Sequence, residues 1–410
     1  LGDFYASCMD LAGIERGGLA AADPHLAMAA AVKDGSSFSR AAGILATFGI
    51  WAPFSVSVEP DMQDATRTML YLEQGGLSLP DRDVYVGREE HQVKVLAEYF
   101  NHVTRMFQLL GDEETAARRS ATAVVRLETA LAEATRRPDE MRDPRSLYHP
   151  TRREELAATM GSFDVNAYLA AAGFEGVSVV NVTNPALARA IGVAIGNARG
   201  DELSAYLRWH VLRRFAPFLP KAFADEAFRM RSILTGVPKR PERFRECLAI
   251  VVDNMSHAVG QSFVRATFGA EGKAKAKAML GSLKEAMEKN LASLLWMDSA
   301  TRERALAKLR EVDGLIAYPD AWRSYDGLVV DRNSLLGNEL RATRFDYERM
   351  RAKLGQPVDR ADWFVPPTLV DAFYSAERNQ MVFPAGILQP PLFDEGRSAA
   401  ANFGAIGAIM

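Results

Sequence analysis

The sequence predicts a mainly α-helical protein whose C-terminal part turns to short strands and loops. Apolar residues recur at helical spacing through the first three quarters of the chain, whereas Pro319, Gly327, Gly337, Gly355, Pro357, Pro366 and Pro367 break up the chain after Tyr318. At 410 residues the chain is also too long for one ordinary core. Two domains, with a boundary near Val330, are therefore expected.

Taken in order, Ala41 to Val58 is the longest uncharged run, but Gly43, Gly49, Pro53, Ser55 and Ser57 lie within it. It reads as buried rather than membrane-spanning. Ala41 to Ile50 suits a core helix, and Phe54 to Val58 alternates like a half-buried strand. Helices are expected over Val93 to Leu110 and over Ala117 to Arg137, where Ala117, Ala121, Val124, Leu127, Leu131 and Ala134 share a face and Pro138 stops the segment. Further helices fit Leu203 to Phe215 and Ile250 to Phe268. Ala276, Leu280, Leu283, Met287, Leu291 and Leu294 form another stripe expected to face a core, and Asp298 reads as the N-cap of a helix running to Leu309. Leu369 to Phe373 and Gln380 to Phe383 read as strands flanking a tight loop at Tyr374 to Asn379, with Pro384 closing the second.

Forty-eight per cent apolar and twenty-five per cent charged residues fit a folded globular chain, and a net charge of −3 leaves no basic stripe to follow a phosphate backbone. Nucleic acid is an unsuitable partner. Gly269, Gly272 and Lys273 lack phosphate-loop spacing, Gly404 and Gly407 lack the third glycine of a dinucleotide fingerprint, and no Gly-x-Ser-x-Gly elbow occurs. The histidines His25, His91, His102, His149, His210 and His257 include no pair four apart, so no helix presents a paired-imidazole zinc site. His210, in an apolar helical pattern, reads as a hydrogen-bonded structural histidine. Cys8 and Cys247 have no metal-ligand spacing; from the residues alone they are either buried thiols or a disulfide.

Several stretches resemble neprilysin-family zinc metallopeptidases. These are Asp3 to Asp10, Gly75 to Asp83, Tyr206 to His210, Trp296 to Leu309, Tyr318 to Trp322, Val370 to Tyr374 with Asn379, and Phe383 to Phe393. The resemblance spans essentially the whole chain. It implies a large helical domain, residues 1–330, covering a thermolysin-like α+β catalytic domain that begins over 331–410 and encloses a central cavity with it. It implies hydrolysis of short peptides with zinc as cofactor. In the family the His-Glu-x-x-His helix follows the segment ending Gly404 to Met410, so the zinc ligands are expected outside this chain, on a C-terminal catalytic fragment present as a continuation or a second chain. No catalytic or metal residue is assigned within it, and both ends read as trimmed.

The resemblance also pairs Cys8 with Cys247 as a disulfide, and hence points to a secreted, periplasmic or membrane-anchored location. It places Asp371, Ala372 and Phe373 on the strand along which a peptide substrate aligns. Asp371 stands where the family usually has asparagine; a carboxylate accepts but does not donate, and Arg378 is a nearby cation that could engage it. The competing expectation is a non-catalytic helical protein that binds or inhibits peptides.

Overall fold

A computed structural model describes residues 1–410. The chain forms two compact units, one of residues 2–248 with 328–357 and one of residue 1 with 249–327 and 358–410. A single boundary near Val330 does not separate them. Residues 249–327 join the C-terminal segment because strand β5 (Asp313–Ala317) pairs in parallel with β7 (Gln380–Pro384). Conversely, the helix Leu335–Arg351 buries Leu336 and Tyr347 in the core of the first unit.

The first unit is mainly helical, as its periodicity predicts. The helix Glu114–Ala134 buries Ala117, Ala121, Val124, Leu127 and Leu131, the stripe read from the sequence. The helix Gly200–Phe215 is buried on most sides, including Tyr206, Leu207, Trp209 and His210. Against these helices lies a sheet of order β1-β2-β4-β3, built from Phe54–Pro60, Thr68–Gln74, Val179–Val182 and Pro150–Arg152. Strand β1 alternates buried and less buried residues, as expected of a strand packed on one face.

The polar centre of this unit is Glu128, which has no exposed surface. Its carboxylate accepts from Ser78 Oγ at 2.6 Å and from the hydroxyls of Tyr85 and Tyr99 at 2.7 Å each. Burial, reinforced by the Glu128 charge, pushes both phenols well above their ordinary range, which keeps them as donors. Trp209 Nε1 donates to Ser78 Oγ at 2.8 Å, which brings the helix Gly200–Phe215 into the network. His210 Nε2 stands 3.4 Å from Glu128 Oε1, and burial lowers its pKa. Gly76 serves the same region: its φ of +78° and a would-be Cβ only 2.4 Å from Pro53 O admit no larger residue, and its carbonyl accepts from Tyr206.

Cys8 and Cys247 form a disulfide across 239 residues with Cα atoms 5.5 Å apart, tying the first helix, Gly2–Met9, to the helix Arg243–Asn254. Arg243 adds hydrogen bonds to the Cys8 carbonyl oxygen. No helix is long and apolar enough to cross a membrane.

In the second unit the helix expected over Ile250 to Phe268 is broken. Arg243–Asn254 ends and Ser256–Thr267 begins around Met255, whose φ of −132° and ψ of 41° are not helical. Asn254 Nδ2 donates to Ile250 O, the local side-chain competition that weakens a helix interior. Asp298 caps the helix Ser299–Glu311 by accepting from Thr301 N at 2.8 Å, as predicted. The helix Ala270–Ser293 departs from expectation. Ala276, Met279 and Leu280 are buried against a cluster that includes Ile316, Phe383 and Phe393, but Leu283, Met287, Leu291 and Leu294 are not buried.

Candidate functional site

The second unit's sheet has the order β5-β7-β6, with the short strand β6 (Phe373–Ser375) antiparallel to β7 and at the edge. Phe373 faces Val382, Tyr374 faces Met381 and Ser375 faces Gln380. The loop Ala376–Asn379 closes the hairpin, with Asn379 at φ +50°, a conformation asparagine tolerates better than most residues. Tyr374 donates its hydroxyl proton to Asn379 Oδ1 at 2.7 Å and Asn379 Nδ2 donates to Lys308 O at 3.3 Å, which holds the turn.

Strand β6 starts four residues later than the sequence suggested. Leu369 and its predecessors are committed elsewhere: Leu369 N donates to Pro366 O, Gly386 N donates to Pro367 O, and the Thr368 and Leu369 carbonyls lie so close to Gly386 that a Cβ there would sit 2.4 Å from each. Continuing the ladder backward would also place Asp371 opposite Pro384, which has no N–H to offer. Asp371 and Ala372 therefore lead into the strand instead of lying within it.

The edge is open. Val370 is 72 % exposed, Asp371 and Phe373 are exposed, and the outer side of β6 has no strand beside it. Asp371 Oδ1 accepts from Ala372 N at 2.7 Å. Arg378 is not brought to Asp371. It is buried, with its guanidinium 4.7 Å over the Phe364 ring and a hydrogen bond of 3.4 Å to Asp359 O. Phe364 also meets Phe373 edge-on at 6.1 Å, so it links the strand to the arginine behind it. Phe364 was not singled out by the sequence; an aromatic pair, Trp363-Phe364, ahead of two prolines is a signal without a period. Such an edge offers an extended peptide alternating backbone donors and acceptors.

Residues 1–319 match the N-terminal profile of Peptidase family M13, and residues 371–410 match the family's peptidase profile. The chain belongs to peptidase family M13. Among curated M13 proteins it is 30 % identical to Neprilysin-3 of Drosophila melanogaster over 375 residues, covering 87 % of this chain and 48 % of the relative. It is 29 % identical to human endothelin-converting enzyme 1 over 370 residues, with the same shares. The chain thus spans about half the length of the curated relatives it matches.

The M13 fold is equally evident in three dimensions. The inhibitor complex of the Mycobacterium tuberculosis zinc metalloprotease Zmp1 superimposes with a TM-score of 0.93 at 34 % identity, covering 100 % of this chain and 62 % of that one. PepO from Lactobacillus rhamnosis shares the fold with a TM-score of 0.86 at 24 % identity, over 99 % of this chain and 65 % of its own.

The residues of this M13 chain do not fit a zinc ion. No three His, Cys, Asp or Glu side chains converge to hold a metal. Three of the six histidines are engaged elsewhere: His102 Nδ1 meets Glu226 Oε1 at 2.7 Å, His210 lies against Glu128, and His25 stands edge-on to Phe48 at 4.6 Å.

Proposed function

We propose that this chain is the substrate-holding part of a zinc metallopeptidase that hydrolyses short peptides, with its zinc ligands on polypeptide outside residues 1–410. The open outer edge of β6, within the stretch that matches the M13 peptidase profile, carries this reading. A peptide in extended form adds a strand there, and main-chain pairing makes binding tolerant of side chains. Asp371, Ala372 and Phe373 line the entry to the edge. The Asp371 carboxylate accepts a substrate N–H, and exposed Val370 and Phe373 offer apolar contact. Arg378 acts from behind, holding Phe364 against Phe373.

Only a flexible chain can lie along so short a strand, and the enclosed cavity implied by the family resemblance restricts substrates further to short peptides. Residues 331–410 would begin the catalytic domain, although the structural units interleave. A secreted, periplasmic or membrane-anchored location is supported by the Cys8–Cys247 disulfide, which persists in oxidising compartments.

The test uses protein expressed from the complete gene. Zinc content, chelator-sensitive cleavage of a short peptide, and slowed amide exchange across Phe373–Ser375 with a non-cleavable peptide bound are the expected results. Peptide binding without zinc or cleavage would instead favour a non-catalytic binding or inhibitory protein. Unchanged exchange at β6 would remove this edge from the reading.

A further inference from the structure

The chain runs from Gly281 through Gly314 without burying a single residue. This stretch contains the second half of the helix Ala270–Ser293 and all of the helix Ser299–Glu311, which has no buried residue. The two helices lie antiparallel as a hairpin. Arg310 pairs with Glu288 at 3.1 Å, Lys284 Nζ donates to Val312 O, and Arg302 donates to the carbonyls of Leu294 and Met297 at 2.6 and 2.8 Å.

The open side of this hairpin carries exposed apolar side chains among its polar ones. One stripe runs down the longer helix. Ala276 and Leu280, at its start, are buried against the sheet-side cluster, while Leu283, Leu291 and Leu294 continue it half-buried and Met287 is 50 % exposed. At the tip, Leu295 is 98 % and Trp296 76 % exposed. Isolated exposed apolar side chains are ordinary, but an uninterrupted stripe whose first turns are core and whose last turns end in Leu-Leu-Trp is an interface pattern.

We infer that this face is the seat of further M13 peptidase polypeptide, with Leu295 and Trp296 as its anchors. The inference rests on the proposed function, since it assumes that such polypeptide accompanies this chain. Two findings select this occupant. The Zmp1 structure matches the whole chain, yet the match covers only 62 % of Zmp1, so more than a third of that relative lies outside it. The part of this chain that matches the peptidase profile, 371–410, also lies in the same compact unit as the hairpin. Polypeptide extending that match therefore adds to the unit that leaves Met287, Leu295 and Trp296 exposed.

Oxidative footprinting of the zinc-loaded protein expressed from the complete gene tests this. Trp296 and Met287 are expected to be labelled roughly tenfold more slowly than in the urea-unfolded protein, the contrast of a desolvated interface core. Protection must be independent of protein concentration and of added vesicles. Labelling at the unfolded rate overturns the inference. Protection that appears only on raising the concentration, as for a second copy, or only with anionic phospholipid vesicles, overturns it as well. A second measurement guards against local misfolding: Trp296→Ser and Leu295→Ser lower Tm, whereas Leu11→Ser, at a 55 % exposed position in the other unit, does not. Zinc-dependent cleavage with Trp296 freely labelled sinks this inference alone, while absence of zinc and cleavage sinks the functional reading.

Discussion

The carboxylate of Asp371 accepts the backbone proton of Ala372 at 2.7 Å, and both residues sit at the mouth of an unpaired strand edge. In the free chain the acid therefore occupies the first amide a substrate would reach. A bound peptide N–H can take up the remaining acceptor capacity of the same group.

Asp371→Ala in the zinc-loaded protein should lower kcat/KM for short peptides about ten- to a hundredfold, the range for a hydrogen bond to a charged group. Asp371→Asn, which keeps an acceptor and adds a donor, should lie within a few-fold of wild type. Peptide kinetics decide between them. Equal losses in the two variants would mean that Asp371 acts through its charge alone.

Phe364→Ala should loosen β6 from behind, because Phe364 touches both Phe373 and Arg378. Removing an aromatic side chain of this kind costs about 3 kcal/mol where it is fully buried and less here, since Phe364 is only partly buried. The expected signature is faster amide exchange at Phe373–Ser375 together with a raised KM. Arg378→Lys, which lacks a planar guanidinium, should reproduce part of it.

Ala317, with Asn379, is one of two non-glycine residues with a positive φ. Its φ is +67°, and Tyr318 N donates to Ile316 O at 2.9 Å across it, the tight three-residue turn that L-residues disfavour. Glycine would relieve about 1–2 kcal/mol but forgo a buried methyl worth about 0.8 kcal/mol and gain unfolded-chain freedom. Ala317→Gly should therefore be close to neutral, whereas Ala317→Val should destabilise by several kcal/mol in urea titrations.

Breaking the Cys8–Cys247 bond, by reductant or by Cys247→Ser, should lower the stability of the first unit by about 2–5 kcal/mol. The chain-entropy ceiling for a loop of 239 residues is about 5 kcal/mol. Denaturant midpoints with and without reductant measure the loss.

His210 and His25 both have pKa values lowered from 6.5, by burial first of all. Protons then bind the unfolded chain better, so stability is complete above about pH 6.5 and falls as the pH drops below it. Each histidine adds a slope of at most about 1.4 kcal/mol per pH unit. His210→Gln should flatten the acid limb of a Tm-versus-pH curve. Glu128→Ala should instead cost at least about 3 kcal/mol at neutral pH, because Ser78, Tyr85 and Tyr99 would lose their buried acceptor.

Much of the fold was legible because helix faces announce their cores. The stripe through Val124, Leu127 and Leu131 was buried as read, and Asp298 capped its helix. Where the same logic failed, a partner was missing or a local competitor won. Leu283 to Leu294 carries the right period but is at most half covered within residues 1–410. Asn254 interrupts a helix whose apolar spacing continues past it. At the site, β-forming residues at Leu369 to Phe373 were visible, but not the pull of the Pro367–Gly386 hydrogen bond that moves the strand toward Ser375. The disulfide came from family likeness, since a sequence separation of 239 carries no signal of proximity. Arg378 shows the limit of sequence distance: seven residues from Asp371, it is turned inward onto an aromatic ring.

The interleaving of the two units has a consequence for synthesis. As the nascent chain leaves the ribosome, Cys247 emerges well before the helix Leu335–Arg351, whose Tyr347 hydroxyl bonds to Ala172 O and whose Glu339 meets Arg214 at 2.6 Å. The early helices can be covalently fastened while a slot among them still stands empty. That slot is filled only after the intervening seventy-nine residues, 249–327, have been made, so the helical unit must wait, partly solvated, for its last piece.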